Sequence, residues 1–340
     1  MNANQPSIFT KPGPALSPAT PVQPVPTVGT PPTPSVAEKV KETDGIIDLP
    51  SGKELNEKAA VKFSGDHHTR LIVLAGPVKG GKTTLLTSLY ELFQWGPVAD
   101  QNFAWSVTLP GFEQKCHQAR TASDNPTAET QRTPYAGPDP YYLHLRTAPA
   151  SGQPPKTDFL FTDVSGEMFD HAVNSEEECK LLTFVKRAAH LVLLIDGAKV
   201  VQDNRNVVVQ KTKSILRCLL DSEMISPFCY VTVVWAKCDY FATVPPRNRK
   251  AIAKFREDVE ADFITSFSDR LPAERFRFME IAARPKEDPQ MGFGKGVVEL
   301  FRFWLERAPH ICSLNLEMDV PKSGRESELF ALRHFSSVKS

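Results

Sequence analysis

The stretch Leu71–Leu86, LIVLAGPVKGGKTTLL, constrains this chain more than any other. Leu71 to Ala75 form an unbroken apolar run, which predicts a buried strand. The next residues fit G-x-x-x-x-G-K-[ST] at Gly76, Gly81, Lys82 and Thr83. From Thr84 to Phe93, apolar residues at Leu85, Leu86, Leu89, Leu92 and Phe93 keep helical spacing, and Gly96-Pro97 predicts the stop. Strand, glycine-rich turn and helix in that order make a phosphate cradle. Gly76, Gly80 and Gly81 let the backbone turn its N–H groups inward, and the helix opening at Thr84 offers its positive end to the same anion. Lys82 brings charge to the β/γ-phosphates, and the Thr83 hydroxyl can ligate Mg²⁺. Lys79, within the loop, is read as facing solvent. The stretch implies a nucleoside triphosphate as ligand.

Beyond the loop, apolar runs predict strands at 103–109, 141–147, 158–163, 191–197, 229–239 and 275–284. Helical spacing predicts helices at 181–189, 207–225, 248–271 and 296–308. Alternation of the two, with near-continuously apolar strands, predicts an α/β fold: a three-layer sandwich with a mostly parallel sheet and helices on both faces. The domain is placed at 70–310, with 98–155 a long, turn-rich switch or insert region. Before it stands a lead-in segment, 41–69. Residues 1–40 hold ten of the 29 prolines and few aromatics, which predicts a disordered arm with polyproline II bias. The PxxP at Pro21–Pro24 could serve a proline-binding module, though a plain tether is the simpler reading. Residues 311–340 are left as a tail.

Lys+Arg and Asp+Glu balance at 40 each, so no overall charge steers the chain to nucleic acid or an anionic membrane. The six cysteines are scattered without a C-x-x-C pair, which argues against a zinc ribbon or disulfide framework and suits a reducing cytoplasm. No apolar run is long enough to span a membrane, and the start shows no signal-peptide pattern.

Three later motifs carry chemistry. Asp163 and Gly166 form D-x-x-G at a strand's carboxyl end, where the aspartate can hold a Mg²⁺ shell and the glycine N–H can meet a γ-phosphate. Ala236-Lys237-Cys238-Asp239 ends a buried strand; a carboxylate at Asp239 can accept from guanine N1–H and its N2 amino group while the Lys237 stem lies across the base. Adenine offers no such donor pair. Glu280 to Arg284, EIAAR, ends the following strand, where the backbone N–H of Ala283 can meet guanine O6.

GPVKGGKT, DVSG, AKCD and EIAAR stand in the order of the motifs of the Ras-like, translation-factor-related P-loop GTPases, which the chain resembles over roughly 70–308. More narrowly, LPSGKEL before LAGPVKGGKTTLLTSLYELF, with DFLFTDVSGEMF afterwards, looks like the bacterial double-GTPase group, second type. The resemblance implies a G domain that binds GTP and GDP with Mg²⁺, hydrolyses GTP, and acts as a switch with a protein regulator or effector. It also implies a place in a bacterial multi-protein conflict or defence system.

Two positions depart from the family. Ala236 replaces an Asn or Thr, removing one tie between base and phosphate loop. Glu167 stands where a glutamine orients the attacking water, which implies slow intrinsic hydrolysis. The switch threonine that meets Mg²⁺ lies in 98–155; Thr133, beside Arg132, is the choice, with Thr127 and Thr130 as alternatives. Lys82, Gly166 and Glu167 are thus the catalytic candidates, and Thr83, Thr133 and Asp163 the metal ligands. The rivals are an ATP-using P-loop ATPase, disfavoured by Lys237 and Asp239, and a nucleotide-binding scaffold with little turnover. Other features read as structural: Glu176–Glu178 as a solvated helix start, Asp196-Gly197 as a strand-ending turn, and Trp235, Phe301, Phe303 and Trp304 as core. His67-His68 read as surface, and Cys238 as packing beneath the base.

Overall fold

The computed structural model describes residues 52–119, 139–152, 156–202, 205–288 and 290–307. The strand predicted ahead of the glycine loop is β1 (Thr69–Ala75), and the helix after it is α2 (Lys82–Trp95). β1 sits in the middle of a seven-stranded sheet, between β4 (Thr157–Asp163) and β5 (His190–Asp196), both parallel to it. β6 (Tyr230–Ala236) and β7 (Phe276–Ile281) extend the parallel side. On the other side β3 (Tyr141–Pro149) runs antiparallel to β4, and β2 (Gln101–Trp105) antiparallel to β3. The order is β2-β3-β4-β1-β5-β6-β7.

Strand alternation sorts the core into two layers. Leu71, Val73 and Ala75 of β1 point to one face with Leu191, Leu193 and Ile195 of β5 and Trp235 of β6. That face is covered by α4 (Gly166–Asn174), α7 (Arg205–Asp221) and α8 (Pro246–Phe267), which supply Phe169, Leu216 and Phe263. Ile72 and Leu74 point to the opposite face, under α2, α3 (Leu109–Ala119) and α9 (Val297–Glu306), which supply Leu86, Phe112, Phe301 and Trp304. The expected α/β sandwich with a mostly parallel sheet is present. Trp235 is core in the first layer and Phe301 and Trp304 in the second, where Phe303 packs half-buried.

Several expected boundaries need correction. The strand at 103–109 ends at Trp105, and α3 begins at Leu109. Pro110 in the first turn and a stripe of Phe112, Cys116 and Ala119 carry that helix, so part of 98–155 is regular structure. Within the lead-in, α1 (Glu57–Asp66) is opened by Asn56, whose side chain accepts from the Ala59 N–H at 2.9 Å. Leu55 pairs there with Tyr142 of β3. The helix expected at 181–189 is instead a short α5 (Glu176–Lys180) followed by a 3-10 turn at Thr183–Arg187. The helix expected to 225 stops at Asp221, before Glu223 turns left-handed. β6 ends at Ala236 and β7 at Ile281, earlier than expected. The proline-rich arm at 1–40, the tail at 311–340, Thr127, Thr130, Arg132 and Thr133 lie outside the described residues.

Candidate functional site

Because β1, β4, β5, β6 and β7 are parallel, their carboxyl ends open on one edge of the sheet. In open α/β sheets that edge is where ligands bind. The loops there are 76–81, 164–165, the junction of β5 with α6 (Gly197–Gln202) at Asp196-Gly197, 237–239 and 282–286. All of them except the Asp196-Gly197 junction contribute residues to a cavity of about 230 Å³. Gly80, Gly81, Lys82, Thr83 and Thr84 line one end, Lys237, Asp239 and Ala283 the other, and Gly166 the side. Residues separated by 200 positions in the chain thus share one space.

Gly81 adopts φ +97°, a conformation that L side chains rarely take, and caps α2. Lys82, the first residue of that helix, is nearly buried and donates to the Gly76 carbonyl at 2.9 Å and the Pro77 carbonyl at 3.0 Å. Burial lowers its pKa to about 8, with Asp163 and Asp170 pulling the other way. The Thr83 hydroxyl donates to Asp163 Oδ1 at 3.4 Å, so strand β4 and helix α2 bring one hydroxyl and one carboxylate side by side. These are hard oxygen donors of the kind Mg²⁺ takes, and Asp163 is 3% exposed, so the pair fits such an ion.

Gly166 presses on the phosphate loop itself. A methyl group added there would lie 2.3 Å from the Val78 N and 2.9 Å from the Gly76 carbonyl oxygen. Only glycine allows the first turn of α4 to meet the loop at that distance. Ser165 caps α4, its Oγ accepting from the Glu167 N–H at 3.3 Å and donating to Glu167 Oε2 at 3.5 Å. The Glu167 carboxylate is thereby turned back toward its own helix start.

At the other end, Asp239 is 2% exposed, and its Oδ2 accepts from the backbone N–H groups of Lys286 at 2.8 Å and Glu287 at 3.1 Å. Lys237 takes a left-handed φ of +54° and donates to Asp196 Oδ2 at 2.9 Å. Asp196 does more than the strand-ending turn its sequence position predicts. It ends β5 in register with Ala236, its Oδ1 accepts from the Ala198 N–H at 3.1 Å, and Gly197 opens α6 (Gly197–Gln202). Cys238 is buried, which pushes its thiol pKa up to about 11.

Lys115, Glu54 and Arg284 make contacts at this edge that no motif spacing predicts. Lys115 of α3 places its ammonium 2.5 Å from Asp163 Oδ2 and 2.7 Å from Glu54 Oε1. Burial opposes its charge, but Asp163 and Glu54 outweigh that and raise its pKa. The signal lies in helical spacing, since Lys115 stands beside the Phe112–Cys116–Ala119 stripe, where a half-buried lysine needs a carboxylate. Arg284 pairs with the buried Glu91 of α2, donates to the Ala119 carbonyl at 3.4 Å and lies over the Phe293 ring at 5.5 Å. It joins the β7 loop to α2 and α3. A buried glutamate on an apolar helix was the available clue.

A family model described as Double-GTPase 2 matches residues 70–305, more than half of the chain. The chain belongs to the Double-GTPase 2 family. The matched span begins at β1 and closes within α9, so it encloses all the loops around the cavity. Among solved structures, this family member is similar to a bacterial selenocysteine-specific elongation factor at 16% identity and TM-score 0.36, covering 71% of this chain and 28% of that one. The Arl6 small GTPase of Trypanosoma brucei follows at 14% and 0.37, covering 70% and 96%. The GTPase-like domain of Ski7 from S. cerevisiae matches at 12% and 0.39, covering 73% and 52%. The chain therefore spans about a quarter of the elongation factor and about half of the Ski7 GTPase-like domain structure. At these scores none of the three bears on what this chain does. No curated protein matches it.

Proposed function

We propose that this Double-GTPase 2 member is a guanine-nucleotide switch that binds GTP and GDP with Mg²⁺ and hydrolyses GTP slowly. One observation carries the reading: the glycine-rich loop and the Lys237–Asp239 loop line the same cavity. In it, Lys82 and the amides of Gly80 and Gly81 hold the phosphates, and Lys82 exchanges its contacts with the Gly76 and Pro77 carbonyls for phosphate oxygens. Thr83 and Asp163 would hold Mg²⁺, which supplies charge neutralisation of the β- and γ-phosphates. Thr133 is proposed as the switch threonine. Asp239 accepts from the guanine N1–H and N2 amino group, the Lys237 stem covers the base, and the Ala283 amide meets O6. The Gly166 amide meets the γ-phosphate, and α4 responds to its loss. Glu167 takes a proton from the attacking water once it leaves Ser165.

A second reading, a nucleotide-holding scaffold with little turnover, is favoured by the Ser165–Glu167 contact and by Ala236, which has no polar side chain. Multiple turnovers per minute from the purified protein remove it. An unidentified protein partner and a role in a bacterial, cytoplasmic multi-protein defence system belong to the same proposal and rest on the family resemblance alone.

The deciding experiment compares GTP and ATP affinities for wild type and Asp239→Asn. Wild type prefers GTP, and the variant loses about 10- to 100-fold in GTP affinity, the range of hydrogen bonds to a charged group. Equal affinities for both nucleotides, unchanged by the substitution, overturn guanine recognition.

A further inference from the structure

Asp163 already has a cation beside it. The Lys115 ammonium lies 2.5 Å from Oδ2, while Oδ1 faces the Thr83 hydroxyl at 3.4 Å. A carboxylate 3% exposed would be costly to leave without a counter-charge, and a lysine from α3 supplies it. The same ammonium is shared with Glu54, 2.7 Å away, on the segment just before α1. α3 is fixed against that segment by backbone as well, since a methyl added at Gly111 would overlap the Lys53 carbonyl. The lysine is therefore held on a braced helix and is no wandering surface chain.

We infer that Lys115 is a tethered cation that competes with the divalent metal for Asp163, so that metal binding at Thr83 and Asp163 requires the lysine to give up this carboxylate and lean on Glu54. The inference rests on the reading of Thr83 and Asp163 as the metal pair. Two positive groups cannot share one carboxylate at full strength, because both draw on its single negative charge and each repels the other. Glu54 gives the displaced ammonium a second carboxylate, so release from Asp163 does not strand a buried charge. By linkage the effect is reciprocal: whatever Lys115 takes from metal affinity, bound metal takes from the anchoring of α3. α3 also meets the base-side loop through the Arg284–Ala119 hydrogen bond, and Ala119 lines the cavity. Metal occupancy would thus be felt at the opposite end of the nucleotide.

The test uses the full chain loaded with GDP, with Mn²⁺ binding followed by electron paramagnetic resonance and thermal melting run with and without Mg²⁺. Lys115→Met is expected to bind Mn²⁺ about tenfold more tightly, within the ordinary range of site-to-site coupling. It is also expected to melt lower than wild type without metal and to regain more of that loss when Mg²⁺ is added. Glu54→Gln, which leaves the ammonium but removes its alternative partner, is expected to bind Mn²⁺ several-fold more weakly and keeps the test decisive if Lys115→Met does not fold. Unchanged Mn²⁺ affinity in these variants, or a melting loss that Mg²⁺ leaves untouched, overturns the inference and makes the pair a structural brace only. Retention of a fluorescent guanine nucleotide by wild type is measured in parallel. Its absence overturns the nucleotide reading, whereas equal metal affinities with nucleotide retained overturn the role of Lys115 alone.

Discussion

At the scale of single residues, the site is built from groups whose side chains already have partners. Lys82 rests on two loop carbonyls, Lys237 on Asp196, and Asp239 on two backbone amides. A ligand must replace these contacts, so affinity is the difference between the new set and the old. Asp196 is the sharpest case. Asp196→Asn keeps the size of the side chain and can still accept from the Ala198 N–H, but it removes the charge that holds Lys237. The variant is expected to lose about two- to fivefold in guanine-nucleotide affinity, as a partly exposed charge pair contributes about 1 kcal/mol or less. Isothermal titration with GDP reads this directly, and an unchanged constant shows that Lys237 needs no support. Gly166→Ala is expected to fail differently. Its methyl meets backbone, which cannot rotate away, so the substitution costs about 1–3 kcal/mol of stability or moves the loop. Denaturant unfolding measures the cost. These residues were legible to different depths. Gly76, Gly81, Lys82 and Thr83 announced themselves by fixed spacing, and Lys237 and Asp239 by standing at a strand end. No motif reveals the contacts of Lys115, Glu54, Asp196 and Arg284, because their partners stand about 40 to nearly 200 residues away, and sequence spacing says nothing about which charges meet in space.

At the scale of elements, β5 shows how a central strand carries a titratable group without charging it. His190 is fully buried in β5, its ring stacked on Tyr230 with Phe303 at its edge, and Nε2 donates to the Arg307 carbonyl at 2.7 Å. Burial, aided by the nearby Arg70 charge, lowers its pKa to about 3, and the hydrogen bond to Arg307 only partly opposes this. The folded state therefore stays unprotonated where the unfolded chain takes up a proton near its ordinary value of 6.5. Stability is complete above about pH 6.5 and falls as pH drops toward 3, by up to about 1.4 kcal/mol per pH unit from this group. His190→Gln is expected to flatten that acid limb, as read by denaturant midpoints between pH 7 and 4. The strands themselves were easy to read, since a run such as LVLLID is apolar on both faces. α3 was hidden for the opposite reason: FAWSVTL alternates well enough to look like a strand, while only Trp105 and the residues before it pair with β3. α1 was hidden by its composition, with Ala60 its only buried residue, although Asn56 offered a cap.

At the scale of the whole molecule, the two faces of the sheet hold separate apolar layers among the described residues. A ligand at the carboxyl edge touches loops fed by both layers, so its binding energy is added to the stability of both. With GDP at a hundredfold excess over its dissociation constant, the gain is about 2.7 kcal/mol. For a domain of this size that is a rise of about 5–10 °C in Tm. ATP at the same concentration is expected to give much less, and equal shifts from ATP and GDP in a melting series count against guanine selectivity. The fold class was legible because alternation of apolar runs and helical stripes is a global pattern. The antiparallel pairing of β2 and β3 was not, since strand order depends on connections that periodicity does not encode. The contact between Gly166 and Val78 has a further consequence at this scale. Side chains usually absorb small displacements by changing rotamer, which gives a protein slack. Here two stretches of main chain touch with nothing between them, so there is no slack to take up. A shift of a few tenths of an ångström in the phosphate loop must be passed on to α4, and through it to the layer of helices behind.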